Sequence, residues 1–495
     1  MSATHYLAVD LGAESGRVML GLLDGDRVSL EEIHRFRNGA VEKDGHLHWD
    51  LPNLEKEVFA GVEKAARRGV PISGISANSW GVDYVLLDAE GRALGQPYCY
   101  RDPRTLDSPA RFFKKVPFRE IYEETGIQFM TINTLFHFEA QQHDDSAVLS
   151  SADHFLNIAD YFNARLSGVE VAEQSLASTT QLYNPKTHNW SDKLRTALDL
   201  SDSLFPEIVA SGTVLGPVAR ELGNDSALAD AQVIATCSHD TAAAVAAIPA
   251  RGDKWAYLSS GTWSLLGTEL DVPILTDAAR EADFTNEVGI GGTIRFLKNI
   301  AGLWVIQECR RAWEAAGQPF TYEELTRLAA ENGPAKAHIS LDDARFVSHG
   351  DMPDKIAAFC RETGQPVPET PAQFVRSVLE SLALTYAETL RDLENLTGRK
   401  FEKLHIVGGG SRSHLLNQLA ADATGLTVIT GPVEATAIGN VLIQALALGH
   451  LKSRDHLRRI VENSFPTQIF SPSPRADSFD QLHARFQKLQ ATTKS

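Results

Sequence analysis

The segments "YLAVDLGAESGRVMLGLL", near the N-terminus, and "KWAYLSSGTWSLLGTEL", near the middle, share one arrangement: an apolar strand, a small polar turn with glycine, and a second apolar strand. They stand about 250 residues apart, close to the length of one domain. A chain that repeats its opening hairpin at this distance is expected to fold as two domains. Its 495 residues agree, being too many for one core and enough for two domains of about 200 to 250 residues each.

The alternation of elements gives the class. After the first hairpin come a third strand around "EEIHRFR", a helix around "NLEKEVFAGVEKAARRG" with apolar residues at helical spacing, and a buried strand in "ISGISANSW". This is an α/β pattern. "DTAAAVAAIPARG" reads as a helix of small residues closed by Pro and Gly, and the domain boundary is expected there: residues 1–245 form one domain, 246–455 a second, and 456–495 a tail with a terminal helix. "EATAIGNVLIQALALG" offers another small-residue helix, suited to close packing across a hinge. No low-complexity linker separates the halves, so two domains closely associated around a cleft are expected.

Composition excludes several classes. Lys and Arg total 47 against 64 Asp and Glu, a formal charge of −17, which disfavours a broad nucleic-acid or anionic-membrane surface. The start lacks a basic segment followed by a long apolar one, and no stretch is apolar enough to span a bilayer, so a cytoplasmic protein is expected. Cys99, Cys237, Cys309 and Cys360 are scattered without C-x-x-C spacing and read as small buried residues.

Three segments carry chemistry. "DLGAESGR" is not a P-loop, for it lacks G-x-x-x-x-G-K-[ST]. Its turn amides could still hold phosphate, with Gly12 and Gly16 permitting close approach and unusual φ angles, though it serves equally as an ordinary hairpin turn. Asp10 precedes the turn, where a carboxylate could orient magnesium-bound water, and Arg17 closes it, able to pair with phosphate or a carboxylate. "SSGTWS" makes a similar offer from Ser259, Gly261 and Thr262. In "LHIVGGGSRSHLLNQLAADATGLTV" a buried strand meets three glycines, a Ser N-cap and an amphipathic helix ending at Gly425. Gly408 to Gly410 do not fit the G-x-G-x-x-G of a dinucleotide fold. A fourth segment, "SHD", sets Ser238, His239 and Asp240 side by side. Adjacent residues project in different directions, so they do not form a hydrolase triad, and no G-x-S-x-G elbow is present.

The order of these segments resembles the actin-like ATPase superfamily, and more narrowly the FGGY carbohydrate kinases. The resemblance is carried by "AVDLGAESGRVML", "EIHRF", "WGVDYVLLD", "YRDPRT", "YEETGIQF", "NTLFH", "SHDTAAAV", "YLSSGTWSLLG", "LKNIAGLW", "LHIVGGG" and "GPVEATAIGN", from residue 8 to residue 440. It implies two ribonuclease-H-like domains around a deep interdomain cleft, with ATP and Mg2+ as cofactors and a sugar as acceptor. Within the family the likeness is to kinases of L-rhamnulose, which yield L-rhamnulose 1-phosphate. Other ketoses, namely fuculose, xylulose and ribulose, are the first alternative. An actin-like or Hsp70-like ATPase switch is the second, and it leaves "YRDPRT", "WGVD" and "LKNIAG" without a purpose.

Residue by residue, the resemblance implies Asp240 as the base that accepts the attacking hydroxyl's proton, a role suited to a carboxylate in phosphoryl transfer. His239, Thr241, Gly81 and Asn299 match sugar contacts, while the bland reading of His239 is a satisfied, partly buried histidine. Trp80 and Asp83 serve equally as sugar neighbours or as a core Trp and a structural Asp. Ala13, Glu14, Ser15, Gly16, Arg17, Thr262, Gln307 and Gly410 match ATP positions, and Asp10 the position associated with magnesium, directly or through water. Glu14 departs from the Ser or Thr common in this turn; a carboxylate beside phosphates would repel them, which leaves its backbone N–H as the functional group.

Overall fold

The computed structural model describes residues 3–219, 227–346, 350–474 and 476–493. Strand β1 (Thr4–Leu11) is buried on both faces from Tyr6 onward, which is why its sequence is nearly continuous in apolar residues. It runs antiparallel to β2 (Ser15–Asp24), which pairs antiparallel with β3 (Arg27–Arg37). Helix α1 (Leu51–Ala66) then returns the chain. Asp50 caps it by accepting from the Asn53 N–H, Pro52 fits its first turn, and Leu51, Leu54, Val58, Val62 and Ala65 form one buried face. Strand β4 (Ile72–Ser79) lies parallel to β1 on its other side. With β5 (Thr213–Pro217) and β6 (Gln232–Ala235) the sheet has the order β5-β6-β4-β1-β2-β3. Helix α2 (Asp240–Ala246) follows β6.

The second half builds the same pattern. Strand β7 (Trp255–Ser260) is antiparallel to β8 (Trp263–Leu270), next to which lies β9 (Ile294–Ala301). On the other side of β7 come β10 (Lys403–Val407) and β11 (Thr427–Thr430), each parallel to its neighbour, with β12 (Gln468–Phe470) antiparallel at the edge. The helices of this half include α3 (Trp304–Ala315), α4 (Pro371–Thr397) and α5 (His414–Thr424). Helix α6 (Ala435–Ala447) follows β11. Both sheets thus place a hairpin beside parallel strands, as the repeated segments require.

The chain divides into two units, each assembled from separate stretches. Unit 1 comprises Met1–Pro249, Glu269–Phe296 and Ala435–Phe465; unit 2 comprises Ala250–Thr268, Leu297–Glu434 and Pro466–Ser495. Helix α6 belongs to unit 1 because its polar side chains satisfy that unit's backbone. Gln444 Nε2 donates to Leu7 O at 3.0 Å and Asn440 Nδ2 to Ser76 O at 3.2 Å. It packs on α2 at Gly439, where a Cβ would stand 1.9 Å from Ala243 O. The two small-residue helices do pack closely, but inside one unit rather than across a hinge. The four cysteines are free and buried. Among the described residues no helix is long and apolar enough to cross a membrane.

Candidate functional site

In unit 1 the candidate residues gather at the carboxyl ends of the parallel strands, the usual ligand edge of such sheets. Asp10 and Leu11 end β1 opposite Asn78 and Ser79 of β4, and Ser79 bridges in parallel to His239, which follows β6. Topology alone therefore sets the first hairpin, the loop after β4 and the start of α2 at one edge.

The first hairpin turns through Gly12 to Glu14, closed by Gly12 N donating to Ser15 O at 3.0 Å. Asn38 braces it twice, its N–H to Glu14 O at 3.1 Å and its Nδ2 to Gly12 O at 2.8 Å. Arg17, opposite Asp10 in the register, pairs with its carboxylate. Glu14 is exposed. The expectation of unusual φ angles at Gly12 and Gly16 is corrected: neither lies in the left-handed region. Gly16 is required because a Cβ there would stand 2.1 Å from the Phe36 ring.

The loop after β4 carries local strain. Val82 has φ 70°, an outlier for a β-branched residue, and Asp83 N donates to Gly81 O at 3.0 Å, making the rarer and strained kind of γ-turn. Thr134 Oγ1 holds the turn by donating to Val82 O at 2.6 Å. At Gly81 a Cβ would be 3.0 Å from Thr179 Oγ1, a tight approach that Thr179 would have to relieve by a few tenths of an ångström. Asp83 Oδ2 accepts from the indoles of Trp49 at 2.6 Å and Trp80 at 2.8 Å. Burial pushes its carboxyl up to about 7 despite these donors. Trp80 and Asp83 are therefore bonded to each other and buried, as a core Trp and a structural Asp would be.

His239 is the N-cap residue of α2, and Asp240 is the first residue of the helix. The approach is pinned by Ser238 N to Glu173 Oε2 at 2.9 Å, His239 N to Ser175 Oγ at 3.2 Å and Ser79 N to Ser238 O at 2.9 Å. Ser238 is fully buried. Asp240 keeps 31% of its side chain exposed, with Oδ1 3.0 Å from Thr241 Oγ1 and 3.5 Å from His239 Nε2. Thr436 Oγ1 donates to Asp240 O at 3.3 Å, so α6 steadies the start of α2.

Two residues that sequence reading missed stand behind His239. Arg295, fully buried, has Nη2 3.0 Å from His239 Nδ1 and 3.0 Å from Glu287 Oε2. Burial works against the Glu287 carboxylate, yet the Arg295 charge and the contact with His239 hold it below its ordinary range. The signal available in the sequence was an arginine inside the apolar strand "TIRFL".

Unit 2 assembles the remaining candidates, again at the carboxyl ends of parallel strands. The second hairpin is closed by Gly261 N to Trp263 O at 2.8 Å, and α3 docks on it through Leu303 N to Gly261 O at 3.0 Å and Trp304 N to Thr262 O at 3.2 Å. Gln307 Nε2 reaches Thr262 Oγ1 at 3.4 Å, while its Oε1 is buried with no protein partner. After β10, Gly408 takes φ 83° and Gly410 is pressed on the end of β7, where a Cβ would stand 2.0 Å from Ser260 Oγ. Gly409 instead faces open space, so a flat ligand could approach the backbone there. Ser413 caps α5 by accepting from Leu416 N, and Gly425 ends it. Asn299 is half-buried on β9.

Comparison with known proteins identifies the family. The N-terminal domain of the FGGY family of carbohydrate kinases matches residues 5–247 and its C-terminal domain matches residues 256–448. The chain belongs to the FGGY family of carbohydrate kinases. Among its relatives, the rhamnulokinase of Bacteroides thetaiotaomicron is 42% identical over 482 residues, 97% of this chain and 98% of that protein. Those of Enterococcus faecalis, 42% identical over 98% of this chain and 97% of that protein, and Bacillus subtilis, 40% over 94% and 95%, are similar in extent. The fold is shared with a ligand-bound xylulose kinase from Lactobacillus acidophilus, at TM-score 0.81, 16% identity and 99% coverage of both chains. A Plasmodium falciparum glycerol kinase with ADP gives TM-score 0.79 at 14% identity, over 99% of this chain and 98% of that one. The architecture is the two-domain α/β fold of the actin-like ATPases.

Proposed function

We propose that this sugar kinase transfers the γ-phosphoryl group of ATP to the 1-hydroxyl of L-rhamnulose, giving L-rhamnulose 1-phosphate and ADP in L-rhamnose catabolism. The relatives named rhamnulokinase, at 40–42% identity over nearly the whole chain, support the substrate. The observation that carries the chemistry is Asp240: a braced, partly exposed carboxylate beside a histidine at the ligand edge of unit 1.

Asp240 accepts the proton of the attacking hydroxyl, while His239, Thr241, Gly81 and Asn299 hold the sugar. Phosphoryl transfer asks the protein chiefly for alignment and charge stabilisation, so one base suffices. The Ala13 to Arg17 turn, Thr262, Gln307 and the glycine segment at Gly410 hold ATP, the turns through their backbone N–H groups. A magnesium ion arriving with the nucleotide would be held by Asp10, directly or through water, at a carboxylate that Arg17 already orients. Such an ion would neutralise charge on the phosphates. A coupled ADP-release assay over L-rhamnulose, fuculose, xylulose and ribulose tests the reading. The highest kcat/KM is expected with L-rhamnulose; a higher value with another ketose would reassign the substrate, and no stimulation by any would remove the kinase.

A further inference from the structure

The pair behind His239 determines which atom of its ring carries the proton. Arginine has donors only, so a guanidinium nitrogen 3.0 Å from His239 Nδ1 makes that nitrogen the acceptor. The ring proton then sits on Nε2, facing Asp240 Oδ1 across 3.5 Å, too long for a firm hydrogen bond and so available to a ligand. Glu287 pulls the other way. Its Oε2 lies 3.4 Å from the same Nδ1 and is paired with Arg295 at 3.0 Å, so without Arg295 it would draw the proton onto Nδ1. Nε2 would then present a lone pair to Asp240, and the site would lose its donor.

We propose that Arg295 is a positioning residue that holds His239 as its Nε2–H tautomer, with Glu287 as its counter-ion, so that the sugar site offers a fixed donor beside a fixed acceptor. A donor and an acceptor 3.5 Å apart are spaced to engage oxygens on adjacent carbons. Asp240 takes the reacting hydroxyl and His239 Nε2–H reads the oxygen on the neighbouring carbon, which in a 2-ketose phosphorylated at C1 is the C2 oxygen. This rests on the sugar-kinase reading above, but the tautomer does not.

The test is 15N NMR of the full-length enzyme labelled at histidine, with His239 assigned by its loss in His239→Gln, together with steady-state kinetics. Wild type is expected to show Nε2–H, and Arg295→Met to shift to Nδ1–H. In Arg295→Met the sugar KM should rise about 5- to 100-fold, the cost of leaving one buried oxygen of the bound sugar without its donor, with the ATP KM unchanged. Glutamine at 239 has a side-chain amide with no tautomer to choose, so Arg295→Met should have little further effect in the His239→Gln background; equal losses in both backgrounds would reduce Arg295 to a structural role. Should Arg295→Met fail to fold, Arg295→Lys, which keeps a donor, must retain the Nε2–H signal. A wild-type His239 protonated on Nδ1, or on both nitrogens, overturns the proposal. The expected tautomer in a chain that no ketose activates would leave the positioning intact and remove the sugar-kinase reading instead.

Discussion

Asp240 and Asp83 are two aspartates of unit 1 beside segments that the family resemblance ties to sugar, and their surroundings divide the work between them. Asp240 opens a helix with 31% of its side chain exposed and a donor-bearing histidine alongside. Asp83 is 1% exposed, locked to two indoles and pushed up to about 7 by burial. A group that must take a proton from a substrate needs access; one that shapes a loop needs partners. The strained turn at Val82 sits next to Asp83 and depends on that anchoring.

The largest effect that would break this contrast is at the base. Asp240→Asn should lower kcat about 1,000-fold or more, the upper range for removing a general base, while calorimetry still detects sugar binding. Substantial residual turnover would move the base elsewhere. Next comes the support under it. Gly439→Ala drives a methyl into Ala243 O, and overpacking of that kind should destabilise the fold by about 3 kcal/mol, lowering Tm together with activity. An unchanged Tm would mean that α2 and α6 can separate freely.

The third prediction concerns pH. In the folded chain Asp83 takes its proton near pH 7, in the unfolded chain in the ordinary carboxylate range, so the folded state binds more protons between the two. The stability it contributes is full at low pH and is lost as pH rises through about 7. Thermal denaturation from pH 4.5 to 8 should therefore show a shallower fall in Tm for Asp83→Asn than for wild type. Identical slopes would mean that Asp83 is ionised throughout and the contrast with Asp240 is weaker. The smallest effect is expected at Glu14, whose side chain is exposed and whose backbone is the held part. Glu14→Gln should change kcat and the ATP KM by less than about 3-fold, in line with a surface substitution.

Much of this was legible in the sequence because it rests on local pattern. The two hairpins, α1, β4 and the small-residue helices follow from apolar spacing and small residues at close packing. The proposal of Asp240 as base comes from the family resemblance of its segment. What escaped was set by contacts distant in the chain. The glycines of the first turn and of the segment after β10 suggested phosphate contact, whereas Gly16 answers to Phe36 and Gly410 to Ser260. Arg295 and Glu287 lie on strands far from His239 in sequence, and nothing in "TIRFL" says where a buried guanidinium will point. The left-handed Val82 is invisible because its residue type argues against that conformation. The assignment of Ala435–Phe465 to unit 1 depends on side-chain amides reaching β1 and β4, which periodicity does not encode.

The most direct test of the central claim is phosphoryl transfer from ATP to L-rhamnulose, measured as sugar phosphate formed by wild type and by Asp240→Asn under identical conditions. Robust formation by wild type and near-complete loss in the variant, with sugar binding retained, is the expected result. Comparable formation by both proteins, or none by wild type, would contradict it.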